Sequence, residues 1–140
     1  MSEQENIVTR AVLEGLLQQP VLARIATANP ATNQPHVVPV WFLWDGADSF
    51  LIYSKPGTAK LRNIEERPRV SLHLDGNGQG GDIVVVLGHA AVTHDPPAHA
   101  LPDYVAKYGA FIERNSWTPE SFAADYSVPL RITATRLRGF

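Results

Sequence analysis

"HVVPVWFLWDGADSFLIYSKPGTAKLRNI", residues 36–64, sets two apolar runs on either side of a four-residue turn and then passes into a short basic segment. Residues 36–44 and 49–54 read as strands because aliphatic and aromatic side chains dominate both, and Asp45-Gly46-Ala47-Asp48 has the composition of a turn between antiparallel neighbours. Pro39 falls inside the first run and has no N–H for a ladder. That strand is therefore expected at a sheet edge, at a bulge, or with its backbone turned toward something other than a strand. After Ser54 the period changes: Thr58 is placed to cap a short helix running to about Arg67, Leu61 and Ile64 fall on its inner face, and Pro68 ends it.

The same pattern extends in both directions. Residues 21–28 form a strand that turns through "NPATNQ" into the quoted stretch, and 69–75, a glycine-rich turn "GNGQGG" and 82–95 make a further hairpin. Residues 128–140 read as a last strand with alternating Leu130, Ile132, Ala134 and Leu137, and residues 98–126 as two short helices. At the other end, Ser2 and Glu5 have capping-box spacing, and Val8, Val12 and Leu16, with Leu13 and Leu17, predict an amphipathic helix over 3–18 that Pro20 closes. The sum is one domain over residues 1–140, mainly β with some α (α+β): about six antiparallel strands in a barrel or sandwich, with peripheral short helices.

Composition narrows the function. The chain has 44% hydrophobic and 19% charged residues and a net charge of -2, which suits a packed core and offers no long-range attraction to nucleic acid. It has no cysteine, so disulfides, thiolate metal sites and cysteine nucleophiles are excluded together. The acidic start "MSEQENIV" is unlike a secretory signal and "IVVVLG" is too short to cross a bilayer, so a cytoplasmic protein without a membrane partner is expected. Among the five histidines, His94 and His99 flank "DPPA" too irregularly to share a helix face, and no metal site is expected.

Lys55, Lys60, Arg62, Arg67 and Arg69 place five of the twelve basic side chains within fifteen residues. Arg62, Arg67 and Arg69 read as a solvated face, with Glu66 at i+4 from Arg62 and Glu65 nearby. Ser54, Lys55, Thr58 and Lys60 surround a strand-to-helix turn in which Gly57 opens the main chain and the N–H groups of Thr58, Ala59 and Lys60 face outward. Such a turn has the donors a phosphate monoester requires. The preceding strand could back a planar heterocycle with residues 38–42, although Trp41, Phe42 and Trp44 also suit a core, and at least two of them are expected there.

Residues 23–76, with "PHVVPVWF" and "GTAKLRN" inside them, resemble the flavin/deazaflavin oxidoreductase superfamily of split β-barrels, the pyridoxamine 5'-phosphate oxidase-like proteins. Within it the chain is most similar to the actinobacterial branch that uses coenzyme F420, and with "GHAAV" and "RITATRLRGF" the likeness covers nearly the whole chain. The resemblance implies a split barrel of the FMN-binding type and a homodimer with two cofactor sites at the subunit interface. The ring would lie against Val38, Pro39, Val40, Trp41 and Phe42. The phosphate would lie at Ser54 to Lys60, with Lys60 as its lysine, Ala59 offering backbone, and Ser54, Lys55, Thr58 and Asn63 assisting. FMN-using members carry an arginine in the ring-binding strand; "HVVPVWFLW" has none, which favours the deazaflavin over FMN.

The implied reaction is hydride transfer from reduced F420 to a conjugated, electron-poor small molecule, with no side chain singled out as acid. Alternatives are an FMN-dependent oxidase or reductase of the same fold and a non-catalytic F420- or haem-binding protein. The substrate side falls to "DGNGQGGD" and residues 96–127.

Overall fold

The hairpins close into one curled sheet. In a computed structural model, which describes Ala11, Glu14, Gly15, Gln19 and residues 21–139, the strands are β1 (Ala23–Ala28), β2 (Pro35–Val40), β3 (Leu43–Trp44), β4 (Ser49–Ser54), β5 (Arg69–Leu74), β6 (Val84–Val92) and β7 (Val128–Gly139). All pair antiparallel, in the order β2-β1-β5-β6-β7-β4-β3. Helix α1 (Ala59–Glu66) follows β4, while a 3-10 turn (Ala98–Ala100), α2 (Pro102–Arg114) and α3 (Pro119–Asp125) lie between β6 and β7. The helix expected over 3–18 and its Ser2–Glu5 box lie outside the described residues, except that Ala11, Glu14 and Gly15 are helical.

Chain length makes the sheet curl. β2 and β3 are its two edges, yet only Trp41 and Phe42 separate them in sequence. Three residue steps reach at most about 11 Å, whereas seven strands laid flat would hold their edges about 29 Å apart. The edges must come round to meet, and the result is a mainly β split barrel with short helices at its periphery.

The expected strand over 36–44 is corrected here. It is two strands on opposite edges, because Phe42 gives its backbone groups to side chains of α2 instead of to a ladder. The split accounts for seven strands where about six were expected. Pro39 falls on an edge strand, as its missing N–H requires: β2 pairs with β1 alone, Pro39 opposite Arg24 and Pro35 opposite Ala28.

The inside of the curl is filled by Ile25, Phe42, Phe50, Ile52, Leu72, Val86, Leu130 and Ile132 among others. A second cluster forms on the other face of β4, where Leu51 and Tyr53 meet Tyr104, Tyr108, Ile112 and Phe122 from α2 and α3. β4 is buried along its whole length because it lies between these two clusters. On β7 the apolar spacing lengthens after Ala134. A bulge absorbs the step: Gly88 pairs with Ala134 and Leu87 with Arg136, and the skipped Thr135 donates its hydroxyl to Leu87 O at 3.1 Å.

α1 plugs one end of the barrel. Ile64 is buried, Leu61 packs on the core, and Asn63 Nδ2 donates to Thr27 Oγ1 at 3.0 Å, tying the helix to β1. Thr58 occupies the N-cap position without capping through its side chain; its hydroxyl lies 3.2 Å from Ser54 Oγ instead. Arg62, Arg67 and Arg69 are exposed, but the expected Arg62–Glu66 pair gives way to donation from Arg62 to Gly57 O.

Candidate functional site

Where the two edges of the sheet approach each other, a cavity of about 320 Å³ opens. It is lined by Leu22, Pro39, Val40 and Trp41 from the β2 side and by Tyr104, Trp117, Phe122 and Tyr126 from α2, α3 and their flanks, with Trp41 stacked on Phe122 where the two sets meet. Lys60 and Tyr53 complete it from the α1 side. Two segments about twenty residues apart in sequence, the end of β2 and the start of α1, thus share one pocket. The lining is mainly apolar and aromatic, with Lys60 and Asn115 as its charged and amide members.

Lys60 is half-buried, and this burial holds its ammonium below the usual lysine range. Among the described residues its polar partner is Thr58 Oγ1, at 3.5 Å, the outer limit for a hydrogen bond. A desolvated cation with unused donors is placed to bind an anion. The first helical bond of α1 runs from Arg62 N–H to Thr58 O at 3.2 Å, so the N–H groups of Ala59, Lys60 and Leu61 precede it, and no acidic side chain occupies the first turn. Gly57, at φ +71, has no atom within 4 Å of where a Cβ would project, so the main chain at the turn is open to a ligand. A half-buried ammonium, free helix-start donors and an open turn beside a flat apolar slot make a donor set that fits a phosphorylated planar heterocycle.

The other expected residues divide. Ser54 is buried and donates to Lys55 O at 2.8 Å while meeting Thr58 Oγ1, and Asn63 is committed to Thr27; both shape the turn from inside. Lys55 is exposed, with its Nζ 5.4 Å from the ring centre of Tyr126, so its charge stands beside the pocket. Val38, Val40 and Phe42 face the barrel core, and Val40 also reaches the pocket lining. Phe42 and Trp44 are core residues, as expected for at least two of the three aromatics, while Trp41 packs outward, stacked on Tyr108 at 4.8 Å and on Phe122 at 5.3 Å.

The α2 and α3 aromatics fall within residues 96–127, which the sequence assigns to the substrate side without singling out a residue. Tyr104, Tyr108 and Phe111 recur at helical spacing on α2, a pattern that marks one helix face but does not say what it covers. Trp117 is steadied by donation from Nε1 to Asp125 Oδ2 at 3.0 Å, and α3 begins with a capping box between Thr118 and Ser121. The phenol of Tyr53 is pushed up to about 12, by burial first and then by the Asp95 carboxylate, and its O–H is given to Pro96 O. Among the described residues no group of three or more His, Cys, Asp or Glu side chains could hold a metal ion, and no helix is long and apolar enough to cross a membrane.

Comparison with known proteins bears on this geometry. A family model described as pyridoxamine 5'-phosphate oxidase matches residues 9–139. The fold is similar to General Stress Protein 26 of Bacillus anthracis str. Sterne at 19% identity and TM-score 0.67, covering 91% of this chain and 90% of that one. It is similar to a protein named F420 reductase at 24% identity and TM-score 0.63, covering 89% and 94%. HupZ of Group A Streptococcus is similar at 17% identity and TM-score 0.60, covering 98% and 92%.

Proposed function

This chain belongs to the pyridoxamine 5'-phosphate oxidase family, a fold family of flavin-type oxidoreductases, and from that premise we propose that it is a coenzyme F420-dependent reductase acting on a conjugated, electron-poor small molecule. The observation that carries the proposal is the convergence of the half-buried Lys60 with Pro39, Val40 and Trp41 on one slot. Two features favour the deazaflavin over FMN: residues 36–44 lack an arginine, and one protein of similar fold is named F420 reductase.

Lys60 and the first-turn N–H groups of α1 would hold the phosphate, with Lys55 adding charge from the rim. Pro39 to Trp41 would back the ring, and the aromatic wall of α2 and α3 would exclude water and leave room for a flat substrate. When bound, reduced F420 supplies a hydride from its central ring carbon. Water can supply the proton that completes reduction, and no side chain is assigned that role; the Tyr53 O–H is held by Pro96 O. Leu22 and Val37 are 49% and 57% exposed beside Pro39, and a second copy covering them would close the pocket, which supports a homodimer with a site at each end of the interface.

Titrating the purified protein with F420 and FMN side by side tests the proposal. Tighter binding of F420, and oxidation of reduced F420 by a quinone or enone, are expected. Preference for FMN moves the chain to the flavin-dependent alternative. Binding of F420 without turnover of any conjugated acceptor leaves a carrier.

A further inference from the structure

Between β2 and β3 the chain crosses from one edge of the sheet to the other, and at Phe42 it has no strand partner on either side. A buried peptide in that position must find its hydrogen bonds elsewhere. Both come from adjacent residues of α2. Tyr108 Oη accepts the Phe42 N–H at 3.0 Å and donates toward Val21 O at 2.8 Å, with Phe42 O a second acceptor at 3.1 Å. Lys107 Nζ donates to Phe42 O at 2.8 Å and lies 3.7 Å from the centre of the Phe42 ring. The Tyr108 ring is stacked on Trp41 with 7° between planes. Lys107 and Tyr108 thus grip Trp41 and Phe42 through both backbone groups of Phe42 and both side chains.

Lys107 is an uncommon residue for this role. It is 3% exposed, and among the described residues it forms no ion pair. A buried ammonium without a carboxylate is costly, and a methionine would fill the same space at lower cost. What methionine lacks is a donor for Phe42 O. Burial also pushes the Lys107 ammonium down to about 8, which places the desolvation cost on this side chain.

We propose that Lys107 and Tyr108 are positioning residues for the cofactor ring: by fixing the Trp41–Phe42 crossing they set the angle at which Pro39, Val40 and Trp41 meet it. The inference rests on the proposed function, in which the ring lies on that segment. Neither residue touches the ring; each acts through the peptide it holds. A loosened crossing would keep the barrel and lose the alignment of the platform, and a misplacement of about 1 Å costs up to about a hundredfold in the rate of a transfer between aligned groups.

The test compares wild type, Lys107→Met and Tyr108→Phe in the full chain by F420 titration, by the absorption and fluorescence of the bound cofactor, and by thermal unfolding. Each folded variant is expected to bind F420 more weakly, with an altered bound spectrum, and to oxidise bound reduced cofactor up to about a hundredfold more slowly. Folded variants that bind as wild type does, with an unchanged spectrum, overturn the positioning role even if they melt lower. A wild type that binds neither F420 nor FMN overturns the functional proposal and this one together. Amide exchange decides the matter if the variants do not fold: the Phe42 amide is expected to be protected in cofactor-free wild type, and exchange at the rate of an open loop overturns the grip.

Discussion

Lys60 and Lys107 are both lysines that burial shifts downward, and they differ in what the ammonium has to satisfy. Lys60 has a weak contact with Thr58 and a cavity in front of it, so Lys60→Ala should weaken F420 binding by about 1.5–3 kcal/mol in calorimetry, the scale of a hydrogen bond to a charged group. Binding unchanged by that substitution would remove the phosphate assignment. Lys107 is tied to a carbonyl, and its effect shows in stability. Its folded value of about 8 is below the ordinary 10.5, so between the two the unfolded chain holds the proton more tightly and stability from this group rises with pH. The full cost is present below that window. Lys107→Met should reduce the rise in denaturation midpoint across the window to the part that Lys60 contributes, and a rise of undiminished size in the variant would assign it to another group. Lys60 was legible in the sequence because its neighbours Gly57 and Thr58 are local. Lys107 was not, because its partner lies 65 residues away.

The element most exposed to error is the β6–β7 pair, where the bulge sets which side chains of β7 face inward. A Cβ added at Gly88 would stand 2.3 Å from Thr133 O and 3.2 Å from Ala134 Cα, contacts with backbone that cannot swing aside. Gly88→Ala should cost about 1–3 kcal/mol in chemical denaturation, the range of an overpacked core, and a neutral result would mean that the bulge relaxes freely. The other end of β7 is held by charge: Arg131 meets Asp95 through Nε at 3.1 Å and Nη2 at 2.7 Å, and hydrogen bonding to this guanidinium holds the Asp95 carboxyl below its ordinary 3.8. The pair supports the segment whose Pro96 accepts from Tyr53. Its stabilisation is present above that ordinary value and lost as pH falls through the depressed one. Asp95→Asn should therefore destabilise by about 1.5–3 kcal/mol near neutral pH and progressively less in acid; an equal loss at both would attribute the effect to packing. The boundaries of β4 and α1 followed from local apolar runs, Pro68 and Thr58. The break at Trp41–Phe42 did not, since "VWFLW" is as apolar as the strands on either side.

For the whole molecule, the proposed homodimer predicts a sedimentation mass of twice the 15.4 kDa of one chain and one F420 bound per chain. A monomer that binds F420 as well as the dimer would separate the site from the interface. Periodicity, turn residues and prolines by themselves determined a mainly β chain of antiparallel hairpins with a basic turn after residues 49–54, because strand periodicity, hairpin turns and helix starts depend on residues a few positions apart. Only the tertiary structure decided that Pro39–Trp41, Lys60 and the aromatics of α2 and α3 share one pocket, and that Lys107 and Tyr108 hold the crossing. Those contacts follow from the curl of the sheet, imposed when a two-residue connection had to bring its two edges together.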